Sequence, residues 1–305
     1  MYRKLAILLL LLCSATWAQT TSKNTLSQNL FNEDDLLLNI KTLSSDAFEG
    51  RRTGSEGSKK AKVYIINQLK ALDILPLGKN YEQPFLFTHH EKQYKGTNIL
   101  GIVRGTDYSE KYIVVSAHYD HEGIKNGQIY NGADDDASGI SALISFAQYF
   151  KNNPPKHSVI IVAFDAEELG LEGSKYFVNN IIVPANSIMV NLNMDMISRS
   201  ETNTLFAVGT RYNKHLKEVV SNFKKTGNVN LLPGHDGEDS LEDWTYSSDH
   251  ASFHKQGIPF LYFGVDDHED YHTPNDDFEN IHPAFYKEAV KIIMSTFNKI
   301  DALTF

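Results

Sequence analysis

Short, fully apolar runs alternate along this chain with longer stretches in which apolar residues return at every third or fourth position. The first pattern belongs to strands buried on both faces, the second to helices with one face in a core. Lys111 to Val115, leading on to His118, Ser158 to Phe164, Ser187 to Leu192 and Pro259 to Phe263 read as strands of the first kind. Phe85 to Phe87, Asn98 to Val103, Leu205 to Val208 and Asn230 to Leu232 are further strand candidates. Helices are predicted over Asn32 to Leu43, Gly57 to Leu72, Ala137 to Phe150, Gly173 to Val178, Lys214 to Phe223, Asp249 to His254 and Ala284 to Ile300. In the third of these, Ile140, Leu143, Ile144 and Ala147 share the face turned to a core. The segment DAFEGRRTGSEG between the first two helices reads as a loop. Strands alternating with helices imply an α/β fold, a three-layer α/β/α sandwich around a mixed, mainly parallel sheet. With no repeat and no long low-complexity linker, residues 19–305 are expected to form one domain.

In such sheets ligands collect at the carboxyl ends of the strands. Three of the apolar runs end in AHYDH, AFDAEELG and NLNMDM, which sends ionisable residues from three separate stretches toward one edge. Between the first and second of them, Asp134, Asp135 and Asp136 stand in succession before a helix, where their repulsion is costly unless a cation offsets it. The single cysteine, Cys13, lies in the first residues, so a metal would have to sit on His, Asp and Glu. His118, at a strand end with Asp120 two residues on, has the acid that customarily holds the far side of a metal-bound imidazole.

Arg3 and Lys4 followed by the apolar run Leu5 to Leu12 and then small residues read as a secretory signal peptide over residues 1–18. The run is too short to span a membrane, so an exported protein, periplasmic or extracellular, without a membrane span after cleavage is expected. The formal charge is −9 and becomes more negative when Arg3 and Lys4 are removed, which argues against nucleic acid or an anionic membrane as partner.

Taken together, AHYDH, GADDDASG, the Glu167–Glu168 pair, the Asp195 that follows the next strand, and YHTPND resemble, in order and across nearly the whole chain after the leader, the M28 family of zinc aminopeptidases. The resemblance implies a secreted exopeptidase that removes the N-terminal residue of peptides or small proteins with two zinc ions per chain. Its ligands would be His118, Asp135, Glu168, Asp195 and His272, with Asp135 bridging the ions, which in such pairs lie about 3.5 to 4 Å apart. Glu167 would be the general base and acid, serving a water held between the ions as nucleophile. Tyr271 is the position from which some members donate a hydrogen bond to the oxyanion. Ser248 and Asp249, within SDH, resemble a motif that supports the site from behind, or alternatively cap the following helix. Asp134 and Asp136 are expected to hold the turn, with room given by Gly132 and Gly139.

Arg51 and Arg52, in GRRTGSEG, would either reach a substrate carboxylate or, the better reading, lie solvated before a helix. Two alternatives share the fold. A glutaminyl cyclase would work with one zinc in a tryptophan-rich site, whereas Trp244 is the sole tryptophan beyond the leader. A non-enzymatic binding relative would have lost a ligand or Glu167.

Overall fold

A computed structural model describes residues 30–225 and 227–304; the expected signal peptide lies outside them. Among the described residues, eleven strands and seven α-helices follow one another as α1 (Glu33–Leu43), α2 (Glu56–Ala71), β1 (Leu75–Pro76), β2 (Glu82–His89), β3 (Lys92–Val103), β4 (Tyr108–His118), β5 (Gly123–Lys125), β6 (Gln128–Tyr130), α3 (Gly139–Asn152), β7 (His157–Phe164), α4 (Glu172–Asn179), β8 (Ile188–Met194), β9 (Thr204–Val208), α5 (Lys214–Ser221), β10 (Asn230–Pro233), α6 (His250–Lys255), β11 (Phe260–Gly264) and α7 (Pro283–Asp301). Among these residues no helix is long and apolar enough to cross a membrane.

One sheet runs in the order β1-β3-β7-β4-β8-β11-β9-β10, with β2 paired to β3. Its centre, β7-β4-β8-β11, is parallel, while β3 joins β7 and β9 joins β11 antiparallel. The expected mixed sheet is present: its parallel centre consists of buried strands, and the half-exposed β10 adds a parallel edge strand on β9. Every residue of β7 is buried. In β4, Ile113, Val115 and Ala117 point into the core shared with α1, α2, α3 and α7. Val114 faces the other way, toward Phe177 of α4 and Phe253 of α6. Opposite faces of one strand thus need opposite layers of helix, which is why a period-one apolar run demands the sandwich.

The helices begin where the sequence supplies caps. Asn32 accepts from the backbone N–H groups of Asp34 and Asp35, and Ser55 from that of Ser58. Two features differ from the sequence reading. The Phe85 to Phe87 candidate is the middle of a long hairpin, β2 with β3, whose outer half is exposed and polar and so carries no apolar signal. The small hairpin β5-β6 was not predicted, being three residues a side.

Arg51 is not solvated. It is 1% exposed, and its guanidinium donates to the carbonyl oxygens of Tyr119 (2.9 Å), Leu43 (2.8 Å), Asn131 (2.5 Å) and Gly132 (2.8 Å). The planar fork ties α1, the end of β4 and the turn before Asp134 into one piece. Arg52 is the one left partly exposed, 3.3 Å from Glu122.

Candidate active site

Asp135 lies at the centre of the site because its neighbours hold the turn around it. Asp134 Oδ1 accepts from the N–H (2.7 Å) and hydroxyl (2.8 Å) of Ser198, and Asp136 accepts from the N–H groups of His118 (3.1 Å) and Gly139 (2.8 Å). Both acids therefore do the structural work expected of them, and Asp136 starts α3. From the far loop, Asp276 accepts the N–H groups of Asp134 (2.9 Å) and Asp135 (3.0 Å), binding the YHTPND segment to the acidic turn. Gly132 has φ +56°, and a Cβ there would meet Asp135 O at 2.1 Å, so only glycine fits.

Three strand ends and one loop then converge. His118 ends β4, Glu167 and Glu168 follow β7, and Asp195 follows β8. His272 comes from the loop after β11. Ala166, Met196 and His272 all have left-handed backbone, with φ of 62°, 55° and 54°. Strain of this kind at three turns around one site persists only where surrounding contacts fix it. Behind His272, Thr273 donates to the carbonyl of Asp270 through both its N–H (3.0 Å) and hydroxyl (2.9 Å), and buried Arg199 clamps the Asp270 carboxylate.

His118 Nε2 stands 3.2 Å from Asp135 Oδ1 and 3.4 Å from Asp195 Oδ1. His272 Nε2 stands 3.1 Å from Asp135 Oδ2 and 3.3 Å from Glu168 Oε2. Four ligands at about 2.0–2.2 Å around a tetrahedral zinc ion are about 3.3 Å apart, so both groups have the spacing such an ion requires. Nitrogen and oxygen donors also suit zinc. Asp135 gives one oxygen to each group and is the atom pair through which they share an edge.

His118 Nδ1 faces the Asp120 carbonyl at 3.1 Å, which fixes the proton there and leaves Nε2 free as a ligand. The support comes from the Asp120 main chain rather than from the carboxylate, whose nearer oxygen is 3.7 Å away. That carboxylate is occupied elsewhere. It accepts the N–H groups of Glu167 (3.0 Å) and Glu168 (3.4 Å) and the Thr53 hydroxyl (3.2 Å), so Asp120 positions the acidic pair as well as the histidine.

The charges are poised for a cation. Burial alone would lower the pKa of His118, but Asp195 and Glu167 hold it well above the ordinary imidazole value. Burial likewise opposes protonation of His272, yet Asp135 and Glu168 raise it to about 10. Burial and Asp135 would raise Glu168, and His121 and His272 bring it down to about 2. Glu167 is different. Burial first, then Asp195 and Glu168, keep its carboxyl well above the usual range in spite of His118, so it is a group able to take and hold a proton. Tyr271 lines the same cavity of about 260 Å³, and burial followed by the carboxylates keeps it protonated, a donor only. Its ring stacks on that of His272 at 3.9 Å.

Asp249 and Ser248 fare differently. Asp249 makes no capping hydrogen bond, so the cap reading fails. It is buried, both its oxygens lack partners, and burial pushes it up to about 7 beside His118. Ser248 accepts from Asn193 of β8 at 3.0 Å and touches no metal-site residue through that bond.

The third residue of SDH provides a test of the packing. His250 donates Nε2–H to the Trp244 carbonyl at 2.9 Å and stacks on Tyr262 at 4.5 Å and 8°. Burial lowers its pKa to about 3. The unfolded chain takes up that proton near pH 6.5, so this contribution to stability is full above 6.5 and is lost as pH falls toward 3. Between pH 6.5 and 5 the loss is about 2 kcal/mol. In His250→Gln, urea midpoints are expected to fall less steeply over that interval than in the parent; equal slopes would show that His250 does not titrate on unfolding.

Sequence reasoning missed His121, Asp276 and the role of Arg51. His121 was in view within AHYDH, three residues after His118, but nothing in the order of residues says which way it turns.

A mixed sheet with a parallel centre and helices on both faces is a fold this chain shares with solved zinc exopeptidases. The Zn-dependent exopeptidase of Parabacteroides distasonis superposes with a TM-score of 0.70 at 20% identity, over 88% of this chain and 98% of that one. A glutaminyl cyclase of Porphyromonas gingivalis does so at 0.71 and 18%, over 90% and 100%. At such identities the likeness is one of fold. In sequence, residues 98–297 match the peptidase family M28 profile, and the chain belongs to that family. The aminopeptidase YwaD of Bacillus subtilis is 32% identical over 209 residues, 64% of this chain and 42% of its own length. The chain thus spans less than half of that relative.

Proposed function

We propose that the chain is an exported di-zinc aminopeptidase, with residues 19–305 as its single peptidase domain. The observation that carries the reading is the sharing of Asp135 between the His118–Asp195 group and the His272–Glu168 group, with Glu167 in the same cavity and in neither. Zinc bound there would polarise a substrate carbonyl and lower the pKa of water. The chain's own residues do the rest. Glu167 takes a proton at its carboxylate and returns it to the leaving amine. Tyr271, held protonated, donates toward the carbonyl oxygen as charge develops. Glu242 and Asp267 also line the cavity, and Asp267 is kept above its ordinary pKa by burial and then by Glu242. No cation is paired with either among the described residues, and a protonated α-amine entering the cavity meets this acidic wall.

An unblocked peptide is therefore expected to lose its first residue, and its N-acetylated form to be cut at least about 10²-fold more slowly, because acetylation removes the charge that the acidic wall attracts and adds bulk beside the scissile carbonyl. Mass spectrometry of the two digests checks this, and equal cutting would refute the aminopeptidase. The glutaminyl cyclase neighbour makes one further outcome informative: ammonia release from an N-terminal glutamine without shortening of the chain selects a cyclase. Elemental analysis of protein prepared without chelator is expected to give about two zinc ions per chain. One ion at saturation with full activity would overturn the two-metal reading.

A further inference from the structure

His121 is a buried histidine that the ligand sets above leave unused. Its Nδ1 lies 2.7 Å from Glu168 Oε1 and 3.6 Å from Asp135 Oδ2, and its side chain is fully buried. At 2.7 Å a hydrogen bond would be the ordinary expectation. Neither His121 Nδ1 nor Glu168 Oε1 has a hydrogen-bond partner, so the ring N–H direction does not run to that oxygen. Two donor atoms shut off from solvent, in contact but not aligned for a hydrogen bond, are able to serve as ligands of one ion. Ligand atoms of His121, Asp135 and Glu168 lie within 4.8 Å of one another, as do those of His118, Asp135 and Asp195.

The ring is aimed by packing. Its Nε2 also lacks a partner, and a Cβ on Gly132 would fall 2.5 Å from His121 Cδ2 and 2.6 Å from Cγ. The imidazole rests against a bare Cα, and the same glycine that makes room for the Asp135 turn makes room for the ring.

We propose that His121 binds the second metal through Nδ1, giving that ion two imidazoles, His121 and His272, beside Asp135 and Glu168. The proposal rests on the two-metal reading. Its rival is a positioning residue that donates Nδ1–H to Glu168, and the proton distinguishes the two. Ligation through Nδ1 puts the proton on Nε2, whereas donation to Glu168 needs it on Nδ1.

Zinc-loaded protein labelled with ¹⁵N-histidine, observed by long-range ¹H–¹⁵N correlation, reports the tautomer of each ring and needs no variant to do so. The His121 ring is expected to be Nε2-protonated, and its Nδ1 to show coupling when ¹¹³Cd replaces zinc; an Nδ1-protonated ring overturns the proposal. Chelator competition gives a second reading. His121→Gln can still donate a hydrogen bond to Glu168 but is a poor zinc ligand, so the second zinc is expected to weaken by about 10²-fold while the first is held as before. A folded His121→Gln that keeps both affinities refutes the role of His121 and leaves the two-metal site standing. A parent protein that takes up no second zinc refutes both.

Discussion

Replacing Glu167 by glutamine is expected to leave the protein folded and fully loaded with metal while lowering kcat by about 10²- to 10⁴-fold, the range for a lost general base. Glu168→Gln is expected to lose metal instead. The two acids are adjacent in sequence, and their backbone N–H groups are both held by Asp120, so the difference lies in where the side chains go. Glu168 is drawn toward His121 and His272, 2.7 Å and 3.3 Å away, and is held ionised at a pKa of about 2. Glu167 is held up by burial first and then by Asp195 and Glu168, against the pull of His118, and can carry a proton. An amide at 167 keeps the shape and loses the proton chemistry; an amide at 168 removes charge from an ion's ligand set. Zinc content and kcat measured on the same two preparations separate these roles. Should both variants retain full metal and turn over at the parent's rate, the division of labour between the acids is wrong.

Arg51→Met is expected to destabilise the fold by about 3–5 kcal/mol, the cost of breaking a buried charged network. For a chain of this size that corresponds to a melting temperature lower by about 10 °C. Methionine can fill part of the space, but it leaves the carbonyl groups of Leu43, Tyr119, Asn131 and Gly132 without their donor in a dry interior. It also removes the positive charge that faces Asp135, Asp276, Asp136 and Asp120. Arg52→Met, which touches only the half-exposed contact to Glu122, is expected to shift stability by less than about 1 kcal/mol. Thermal melts of the two variants side by side make the comparison. If Arg51→Met melted with the parent but lost affinity for peptide carboxylates, the arginine would belong to the substrate site after all.

Several parts of this protein were written openly in the chain. SVIIVAF could only be a strand covered on both sides, because it offers no polar face. The acids and histidines that end the apolar runs could only collect at one edge of a sheet built from parallel strands. His118, the Glu167–Glu168 pair and Asp195 were placed at that edge for this reason, Asp135 and His272 were legible only through the resemblance to the M28 family, and the structure brings all six to one cavity. The outer half of the β2-β3 hairpin was not legible, since an edge strand turned to water has the polarity of a loop. Arg51 and His121 were hidden for a related reason. A charged or ionisable residue in a polar stretch reads as solvated, and local order does not say whether another part of the chain will cover it. Arg51 is covered by carbonyl groups up to 84 positions away, and His121 by a glycine whose missing Cβ matters only once the turn at Asp135 is folded. Periodicity reports which residues must leave water; what a buried polar group meets when it gets there depends on contacts between distant segments, and those are made only by the tertiary fold.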